Sequence, residues 1–428
     1  MHAAATTPPE QRFEAQHRVP ASSQSPADPF FHAPHSPTEP SMIPIRYNLR
    51  SLAVRKTTTL ATALGIALVV FVLAAALMLG EGIARTLGSS GRADVAIVLR
   101  KGAENELSSG IDDPQVGLIA AMPGVASDAS GPLVTGEVVV VTALEKLGAV
   151  GLSNVQLRGV PANGFSFRPA ARIVEGRAPR AGSDEALVGR RIRGRFRGTD
   201  LGQSFDLRKG RPVTIVGVFS DDGSSHESEI WCDLDTLRTT FGREGSVSAV
   251  RVRLASTSGF DTFQTTLEAD KRLGLAASRE SAYYEKQSSG TSIFIKALGG
   301  AVAVFFALGA MIGATITMYA AVANRTREIG TLRALGFSRA SVLTSFVLES
   351  VALALGGGVL GVLAALAMRG VRFSMMNFAS WSEIVFTFEP TASIVLTALA
   401  FAGGMGLVGG ILPAVRAARV SPTAAMRA

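Results

Sequence analysis

Several kinds of chemistry lack the residues that they need in this sequence. Its 428 residues include one cysteine, Cys232, so an intrachain disulfide and a thiolate metal site are both excluded. Of the five histidines, only His226 lies beyond the first 35 residues. The motifs G-x-x-x-x-G-K-[ST], G-x-S-x-G and H-E-x-x-H do not occur. No catalytic site emerges from the sequence, the chain cannot hold ATP phosphates in the P-loop manner by itself, and a metal site has almost no support.

Charge is also scarce. Charged residues make up 18% of the chain, against about 25% in an ordinary soluble domain, and apolar residues make up 47%. The net charge is +8, but many basic residues flank apolar segments and aromatic residues are only 7%. The composition favours a membrane protein and argues against a nucleic-acid partner.

Four apolar segments are long enough to cross the roughly 30 Å hydrocarbon core of a membrane. Three of them carry no charge, and the fourth carries only Glu349. A cleaved signal peptide is the alternative for the first segment, but its apolar region would be about 7–15 residues long and nearer the N-terminus. We predict transmembrane helices at residues 57–80, 340–368 and 391–415. Residues 291–323 are predicted to contain the end of a helical stalk and the second transmembrane helix.

Two segments precede the first span. Residues 1–42 are rich in proline and polar residues and are predicted to be disordered. Alternatively, translation starts at Met42 and residues 1–41 are not part of the native protein. Residues 43–56 place Ile45, Leu49 and Leu52 at helical spacing among basic residues, which predicts an amphipathic helix in the membrane interface. A plain positive flank is the alternative for this segment.

Residues 81–290 have a different character. Short apolar runs such as residues 138–141, 213–218 and 249–254 alternate with turns rich in glycine and proline. This pattern predicts strands, with short helices at residues 114–122 and 234–241, in an α+β domain. The run Asp221-Asp222-Gly223 lacks a full set of calcium ligands and is predicted to be a turn.

The distribution of positive charge predicts the orientation. Basic residues are frequent before the first span, between the second and third, and after the fourth, whereas residues 369–390 hold only Arg369 and Arg372. We therefore expect both termini, including residues 416–428, and the loop at residues 324–339 to be cytoplasmic. The expected fold class is an α-helical protein of the inner (cytoplasmic) membrane with four transmembrane helices plus an extracytoplasmic α+β domain.

Small residues recur at four-residue spacing in three of the spans. The pairs are Gly309 and Gly313, Gly357 and Gly361, and Gly406 and Gly410. Such pairs let helices approach closely in lipid. They favour a compact bundle and leave room for contacts between copies.

The loop at residues 324–339 carries an apolar stripe. Ile329, Leu332 and Leu335 recur at helical spacing, and Gly336 then provides a helix stop. The stripe indicates a short amphipathic helix at the membrane face. A solvated, positively charged linker explains the same residues equally well.

Glu349 is an ionisable residue inside a span, where such groups are costly and often functional. It lies about two to three helical turns from the cytoplasmic end, within reach of Arg327 or Arg339. We expect a structural or coupling role for Glu349, in preference to a proton relay.

Nine short segments carry a resemblance to a known family. They are residues 45–50, 157–160, 175–177, 185–189, 228–231, 324–336, 346–349, 356–358 and 412–422. Together they resemble MacB/FtsX-type ABC transporter permeases. The similarity extends over residues 43–428, and the domain at residues 81–290 resembles the periplasmic core domain of that family.

The resemblance implies a permease whose residues 325–336 form a coupling helix, seated in a groove of a separate ATPase subunit. It implies ATP and Mg²⁺ on that partner and no cofactor on this chain. Two ATPase copies, a second permease copy or homologue, the lipid bilayer and a periplasmic adaptor are the expected partners. The expected coupling residues are Arg325, Arg327, Glu328, Ile329, Leu332, Arg333, Leu335 and Gly336.

The expected function is ATP-driven export, extraction or mechanotransmission across the cytoplasmic membrane. Within the family, a regulator of a cell-wall hydrolase is the alternative. Outside it, the alternative is a membrane-anchored receptor that works without an ATPase. The sequence does not select a cargo, nor a homodimer over a heterodimer.

Overall fold

The computed structural model describes residues 56–148, 150–377 and 380–421. The predicted tail and, except for Lys56, the predicted interfacial helix lie outside these residues. The helices are α1 Lys56–Gly88, α2 Asp113–Ala120, α3 Leu234–Phe241, α4 Phe260–Ala269, α5 Glu280–Asn324, α6 Thr326–Ala334, α7 Arg339–Ala367 and α8 Ala392–Ala418.

The strands are short and lie mostly between α1 and α5. They are β1 Val95–Arg100, β2 Ile111–Asp112, β3 Ser127–Asp128, β4 Gly131–Pro132, β5 Val134–Glu145, β6 Leu152–Val160, β7 Arg172–Gly176, β8 Glu185–Gly189, β9 Ser204–Arg208, β10 Arg211–Ser220, β11 Glu229–Asp233, β12 Ser246–Val247, β13 Ala249–Arg253, β14 Leu275–Arg279, β15 Arg372–Asn377 and β16 Ser382–Thr387.

Four of the helices, α1, α5, α7 and α8, are long and apolar enough to cross a membrane. Their outward faces carry large apolar side chains, for example Leu60, Leu64 and Leu68 on α1. In water such a stripe would be costly, whereas lipid accommodates it. α5 is one continuous helix of 45 residues that joins the stalk to the apolar segment.

Glycines set the distance between these helices. The glycine pair of α7 packs on the backbone of α1, and the pair of α8 packs on α7. A side chain at any of these four positions would collide with the neighbouring helix. The pair of α5, Gly309 and Gly313, is exposed, and no described atom lies within 4 Å of where its side chains would begin. Only two of the three pairs therefore pack the bundle of this chain.

The outer domain surrounds a ten-stranded mixed sheet with the order β14-β1-β13-β5-β6-β11-β8-β10-β7, and β9 pairs with β10. The pairs β6–β11 and β8–β10 are parallel, and the others are antiparallel. Ile119 of α2, Leu237 of α3 and Phe263 of α4 are fully buried in its core. The prediction of a helix at residues 234–241 is confirmed.

Residues 369–390, predicted as a short loop, contain the antiparallel hairpin β15–β16. Its Val385 is fully buried in the core of the outer domain. At its turn, the backbone carbonyl of Trp381 accepts a hydrogen bond from Asn154. The segment forms strands because the domain gives its alternating apolar side chains a surface to cover.

The outer domain and the helix bundle meet in a small apolar core of their own. Ile83 and Leu87 of α1 and Tyr283 and Tyr284 of α5 pack there with apolar residues of β1, β13 and β16. Next to this core, Gly82 of α1 lies directly against the backbone carbonyl of Thr387. The junction therefore depends on a backbone-to-backbone approach that a side chain would prevent.

Substituting Gly82→Ala should destabilise this junction. Its Cβ would collide with a main-chain oxygen, which cannot rotate away, and overpacking of this kind costs about 1–3 kcal/mol. We expect the thermal midpoint of the detergent-solubilised protein, followed by tryptophan fluorescence, to fall by several degrees. Gly65→Ala is the matched control on the same helix, because its Cβ would meet no described atom within 4 Å. Equal midpoints for the two variants would contradict the proposed contact.

Candidate functional site

The predicted coupling segment forms the helix α6, between α5 and α7. It ends where the sequence predicted, because Gly336 adopts a positive φ of 97° that favours glycine. The amide of Phe337 donates to the carbonyl of Leu332, and the amide of Gly336 donates to that of Arg333. This double closure is a Schellman motif, which satisfies the last carbonyls of a helix.

Arg325 lies at the start of α6 and points into the bundle. Its guanidinium is buried and donates to a carboxylate oxygen of Glu349 on α7 at 3.1 Å. It also donates to Glu328 at 3.1 Å and lies over the ring of Phe346, 5.4 Å from the ring centroid. Arg327 or Arg339 is the partner predicted for Glu349 from the sequence, whereas the structure provides Arg325.

The apolar stripe of α6 is divided between two environments. Ile329 is 2% exposed, and Leu332 packs against the same cluster of α5, α7 and α8 side chains. Leu335 is 68% exposed. Ile329 and Leu332 therefore fill a core within this chain, and Leu335 is the exposed member of the stripe.

The remaining side chains of the segment lie around this stripe. Arg327 and Glu328 are exposed, and the half-buried Arg333 donates to the carbonyl of Phe337 at 2.9 Å. Gly330 is buried next to Ile329. The outward face of α6 therefore offers one large apolar side chain, Leu335, beside a basic and an acidic group.

A second constellation lies at the opposite end of α5, inside the outer domain. It is a buried charge cluster of seven residues on four strands and on segments next to them, and its formal charge sums to −1. Its members are Glu106, Glu137, Arg158, Arg168, Glu229, Arg251 and Glu280.

Arg158, on β6, has every donor engaged although it is fully buried. Its Nε and Nη2 donate to the two oxygens of Glu229, at 2.7 and 2.8 Å. Its Nη1 donates to Glu137 and to Glu106, at 2.9 Å each. Such multiple charge-assisted bonds can offset the high desolvation cost of a buried guanidinium.

Arg251, on β13, connects the cluster to α5. Its Nε donates to Glu280, at the first position of α5, at 2.7 Å, and its Nη1 donates to Glu137 at 2.6 Å. The other oxygen of Glu280 accepts from the backbone amide of Arg92 at 3.1 Å. The start of the long helix is therefore held by ionic contacts from the middle of the sheet.

Two tyrosines on the next turn of α5 extend this connection. The Tyr284 hydroxyl lies 3.1 Å from Nε2 of His226, whose Nδ1 lies 2.8 Å from a carboxylate oxygen of Asp221. The Tyr283 hydroxyl accepts from the backbone amide of Glu106 at 3.3 Å. The predicted turn at residues 221–223 is confirmed, and its Asp221 supports the only histidine of the domain.

The cluster lowers the pKa values of its carboxyl groups. Burial would raise the pKa of Glu106, but the charges of Arg158 and Arg251 outweigh burial and lower it to about 2. Burial opposes ionisation of Glu137 as well, and the three neighbouring arginines lower its pKa well below the ordinary value. These glutamates are therefore ionised at neutral pH, and their ion pairs are intact.

This cluster was not predicted from the sequence. The available signal was an arginine between apolar neighbours on a strand, as in Val250-Arg251-Val252 and Leu157-Arg158. In such strands both faces are buried, so a charged residue must find partners inside the domain. Which acids provide them depends on the order of the strands.

Other polar contacts attach the domain to α1 and to the β15–β16 hairpin. Arg191 donates to the Thr86 hydroxyl of α1 at 3.1 Å and to the carbonyl of Val385 at 2.7 Å. Glu383 of β16 pairs with Lys146 at 2.5 Å and with Arg195 at 3.2 Å. The domain thus holds α1, α5 and the segment that joins α7 to α8.

Acidification should weaken the outer domain through the buried charge cluster. The pKa of Glu106 is about 2 in the folded protein against an ordinary 4.5, so its ionised form favours the folded state. That stability is complete above about pH 5 and is lost as the pH falls towards 2. We expect the free energy of unfolding, measured by denaturant titration in detergent, to decline across this window.

Substituting Glu106→Gln should remove much of that pH dependence and destabilise the protein at pH 7. Losing one partner of a buried ion pair costs about 3–5 kcal/mol. Glu104→Gln is the matched control, since Glu104 is exposed two residues away. An unfolding free energy at pH 7 that is the same for both variants would argue against the cluster.

Two family models match this chain. The model of the MacB-like periplasmic core domain matches residues 59–270, and that of the FtsX-like permease C-terminal region matches residues 300–422. The first includes most of the outer domain and part of α1. The second includes most of α5 and all of α6, α7 and α8.

Curated relatives cover part of the chain. The uncharacterized ABC transporter permease YknZ of Bacillus subtilis is 28% identical over 229 residues, which are 51% of this chain and 55% of that protein. The macrolide export ATP-binding/permease protein MacB of Neisseria gonorrhoeae is 26% identical over 53% of this chain and 35% of that protein. The matched region is thus about half of YknZ and about a third of MacB.

Solved structures also show similarity. The extracellular domain of YknZ matches with a TM-score of 0.32 and 15% identity, over 43% of this chain and 99% of that domain. The periplasmic region of MacB from Actinobacillus actinomycetemcomitans matches with a TM-score of 0.34 and 13% identity, over 45% of this chain and 92% of that region. On its two matching family models and its curated relatives, this chain is a multi-pass membrane protein that belongs to the MacB/FtsX-type permeases of ABC transporters.

Proposed function

We propose that this permease transmits ATP-driven movement of a separate ATPase subunit, bound at α6, to the outer domain. The output is export, extraction or mechanical signalling across the cytoplasmic membrane. ATP and Mg²⁺ bind to two copies of the ATPase partner. The observation that carries the proposal is that α5 is one helix with α6 at its inner end and the buried charge cluster at its outer end.

The length of α5 suits this role. Its 45 residues extend over roughly 67 Å at 1.5 Å per residue, about twice the thickness of the hydrocarbon core. A continuous hydrogen-bonded helix resists bending, so a displacement at one end is passed on to the other. The helix also contains no proline at which it could kink.

At the inner end, α6 is joined to three of the long helices. Met318 of α5, Ile329 of α6, Val342 of α7 and Ala414 of α8 share one apolar cluster. The Arg325–Glu349 ion pair then connects the start of α6 with α7. A force on α6 therefore acts on the bundle directly.

The partner-facing surface of α6 is small and mixed. Leu335 supplies an exposed apolar group that a groove on the ATPase would bury. Arg327 and Glu328 lie beside it and suit the charged rim that sets register in an interface. The distribution of positive charge supports a cytoplasmic position for this surface and for both termini.

At the outer end, the buried charge cluster resists separation of α5 from the sheet. Separating Glu280 from Arg251 would leave a buried carboxylate without its ion-pair partner, which is costly. The domain is therefore expected to follow α5 as a unit. A periplasmic adaptor would contact this domain in the complete assembly.

A second permease copy, or a homologue, would cover the open face of α5. The exposed pair Gly309 and Gly313 lies near Phe305, Ile312 and Ile316, which are exposed as well. Small residues between large apolar ones allow close helix approach in lipid. Family membership supports such pairing of two permease subunits.

Substituting Leu335→Asp should release the ATPase. A charge in place of the exposed apolar anchor would have to be buried without a partner in the groove. We expect co-purification of the ATPase from membranes, and ATPase activity in the complex, to fall at least tenfold. Leu147→Asp, at an exposed position of the outer domain, is the matched control and should change neither. Unchanged co-purification of the Leu335 variant would contradict the placement of the ATPase at this surface, whereas a native protein that retains no ATPase would favour the receptor.

Weakening the outer end of α5 should separate ATP hydrolysis from movement of the outer domain. A spin label at Leu118→Cys, on the exposed side of α2, would report the distance between the domains of two copies with and without trapped ATP. Cys232 is buried and should remain unlabelled. We expect ATP to shift this distance in the native sequence and much less in Glu280→Gln, with ATPase binding unchanged.

The control for this experiment is Glu285→Gln, an exposed position one turn further along α5. It should preserve the full ATP-dependent shift. If ATP changed the spin-label distance as much in Glu280→Gln as in this control, α5 would not be the element that carries movement outward.

A further inference from the structure

A run of five arginines between residues 189 and 198 has no role in the function proposed above. Three of them pair with acidic side chains. Arg193 pairs with Asp200 at 2.8 Å, Arg195 with Glu383 at 3.2 Å, and Arg197 with Glu145 at 2.8 Å. The other two are Arg190, which lies 3.5 Å from Glu227, and Arg191, which contacts the outer end of α1.

Arg191 is the member of this run that contacts the helix bundle. Its guanidinium bonds to Thr86, near the outer end of α1, and to the carbonyl of Val385 on β16. Burial lowers the pKa of Arg191, and the neighbouring charges of Arg190 and Arg372 lower it further, whereas Glu227 and Glu389 act in the opposite direction. Arg372, at the base of the hairpin, is thus close enough to repel it.

Further positive charges surround this point. Arg85 is on the last turns of α1, Arg369 follows the end of α7, and Arg372 begins β15. Arg372 pairs along the hairpin with Thr387, whose hydroxyl bonds to Glu389, the partner of Arg85. We call the five arginines at the outer ends of these helices the basic patch: Arg85, Arg190, Arg191, Arg369 and Arg372.

The basic patch has more positive than negative charge. Glu389 pairs with Arg85, and the buried Glu227 lies near Arg190 and Arg191, at 3.5 and 3.4 Å. Among the residues that the structure describes, none pairs with the side chain of Arg369 or Arg372, and both are exposed. Five cations and two anions give the basic patch a net positive charge, which favours binding of an anion.

Exposed apolar side chains lie beside these arginines. Val371 and Phe373 flank Arg372 in the chain and are each 43% exposed. Basic residues next to exposed apolar ones, at the ends of spanning helices, are typical of segments that lie among lipid headgroups. A free phosphate would use only the charges, whereas a phospholipid uses both groups.

We propose that the basic patch binds the phosphate of an anionic phospholipid in the leaflet next to the outer domain, with Arg369 and Arg372 as the principal contacts. Val371 and Phe373 then lie against the acyl-chain region of the same leaflet. The bound lipid would bridge the ends of α1 and α7 and the base of the hairpin, beside the junction with the outer domain. This inference needs the membrane position of the helices but neither an ATPase nor a cargo.

Native mass spectrometry of the full chain in a non-ionic detergent tests the proposal. The protein is titrated with dioleoyl phosphatidylglycerol, with dioleoyl phosphatidylcholine and, separately, with inorganic phosphate. We expect the anionic lipid to bind at least tenfold more tightly than the zwitterionic one. Equal affinity for the two lipids would overturn the proposal, and so would inorganic phosphate that competes at equal concentration.

The double variant Arg369→Gln/Arg372→Gln locates the site. Each basic side chain at an anionic membrane surface contributes about fivefold, so affinity for phosphatidylglycerol should fall about thirtyfold. The double variant Arg180→Gln/Arg272→Gln removes the same charge from exposed positions of the outer domain and should bind like the native sequence. Equal binding by the two double variants would overturn the assignment.

Arg369→Lys/Arg372→Lys retains both charges and should recover most of the affinity. The thermal midpoint of each variant is measured in parallel, and we expect no change because neither arginine has a partner among the described residues. If the lysine variant bound phosphatidylglycerol as weakly as the glutamine variant, the result would argue against binding through charge.

Discussion

The structure depends on a set of charges that are removed from water in the middle of the outer domain. Glu137 contacts Arg158, Arg168 and Arg251 at once, and no part of its side chain is exposed. Such a group tolerates few alternative arrangements, because the loss of a partner leaves buried charge that is incompletely compensated. One of the seven members, Glu280, belongs to α5, so the same constraint fixes the long helix to the sheet.

The two ends of the bundle are therefore held in different ways. Outside, the domain contacts α1, α5 and the hairpin between α7 and α8 through an apolar core, ion pairs and backbone contacts. At the other end, the short helix α6 packs on the bundle and is joined to α7 by Arg325 and Glu349. A strong joint on one side and a small exposed surface on the other suit a protein that receives movement and passes it on.

The apolar stripe of α6 shows that an amphipathic sequence pattern does not by itself identify a binding surface. Ile329 and Leu332 satisfy the helical spacing because they cover the inner end of the bundle. Leu335 satisfies it too, yet it remains exposed. The amphipathic pattern reports that one face is apolar, but it does not report which neighbour covers that face. The surface left for a binding partner consists of one apolar side chain, Leu335, with charged groups near it.

The four long apolar helices, the strand-rich domain and the helix stop at Gly336 follow from the sequence, because hydropathy, periodicity and backbone preference are local. The partner of Glu349, the acids around Arg158 and the packing of each glycine pair were decided by the tertiary structure. Arg158 and Arg251 are far apart in the chain and share Glu137 only because β6, β5 and β13 lie side by side in the sheet. Residues far apart in sequence carry no local signal of their pairing, so strand order and helix packing determine where each charge is neutralised.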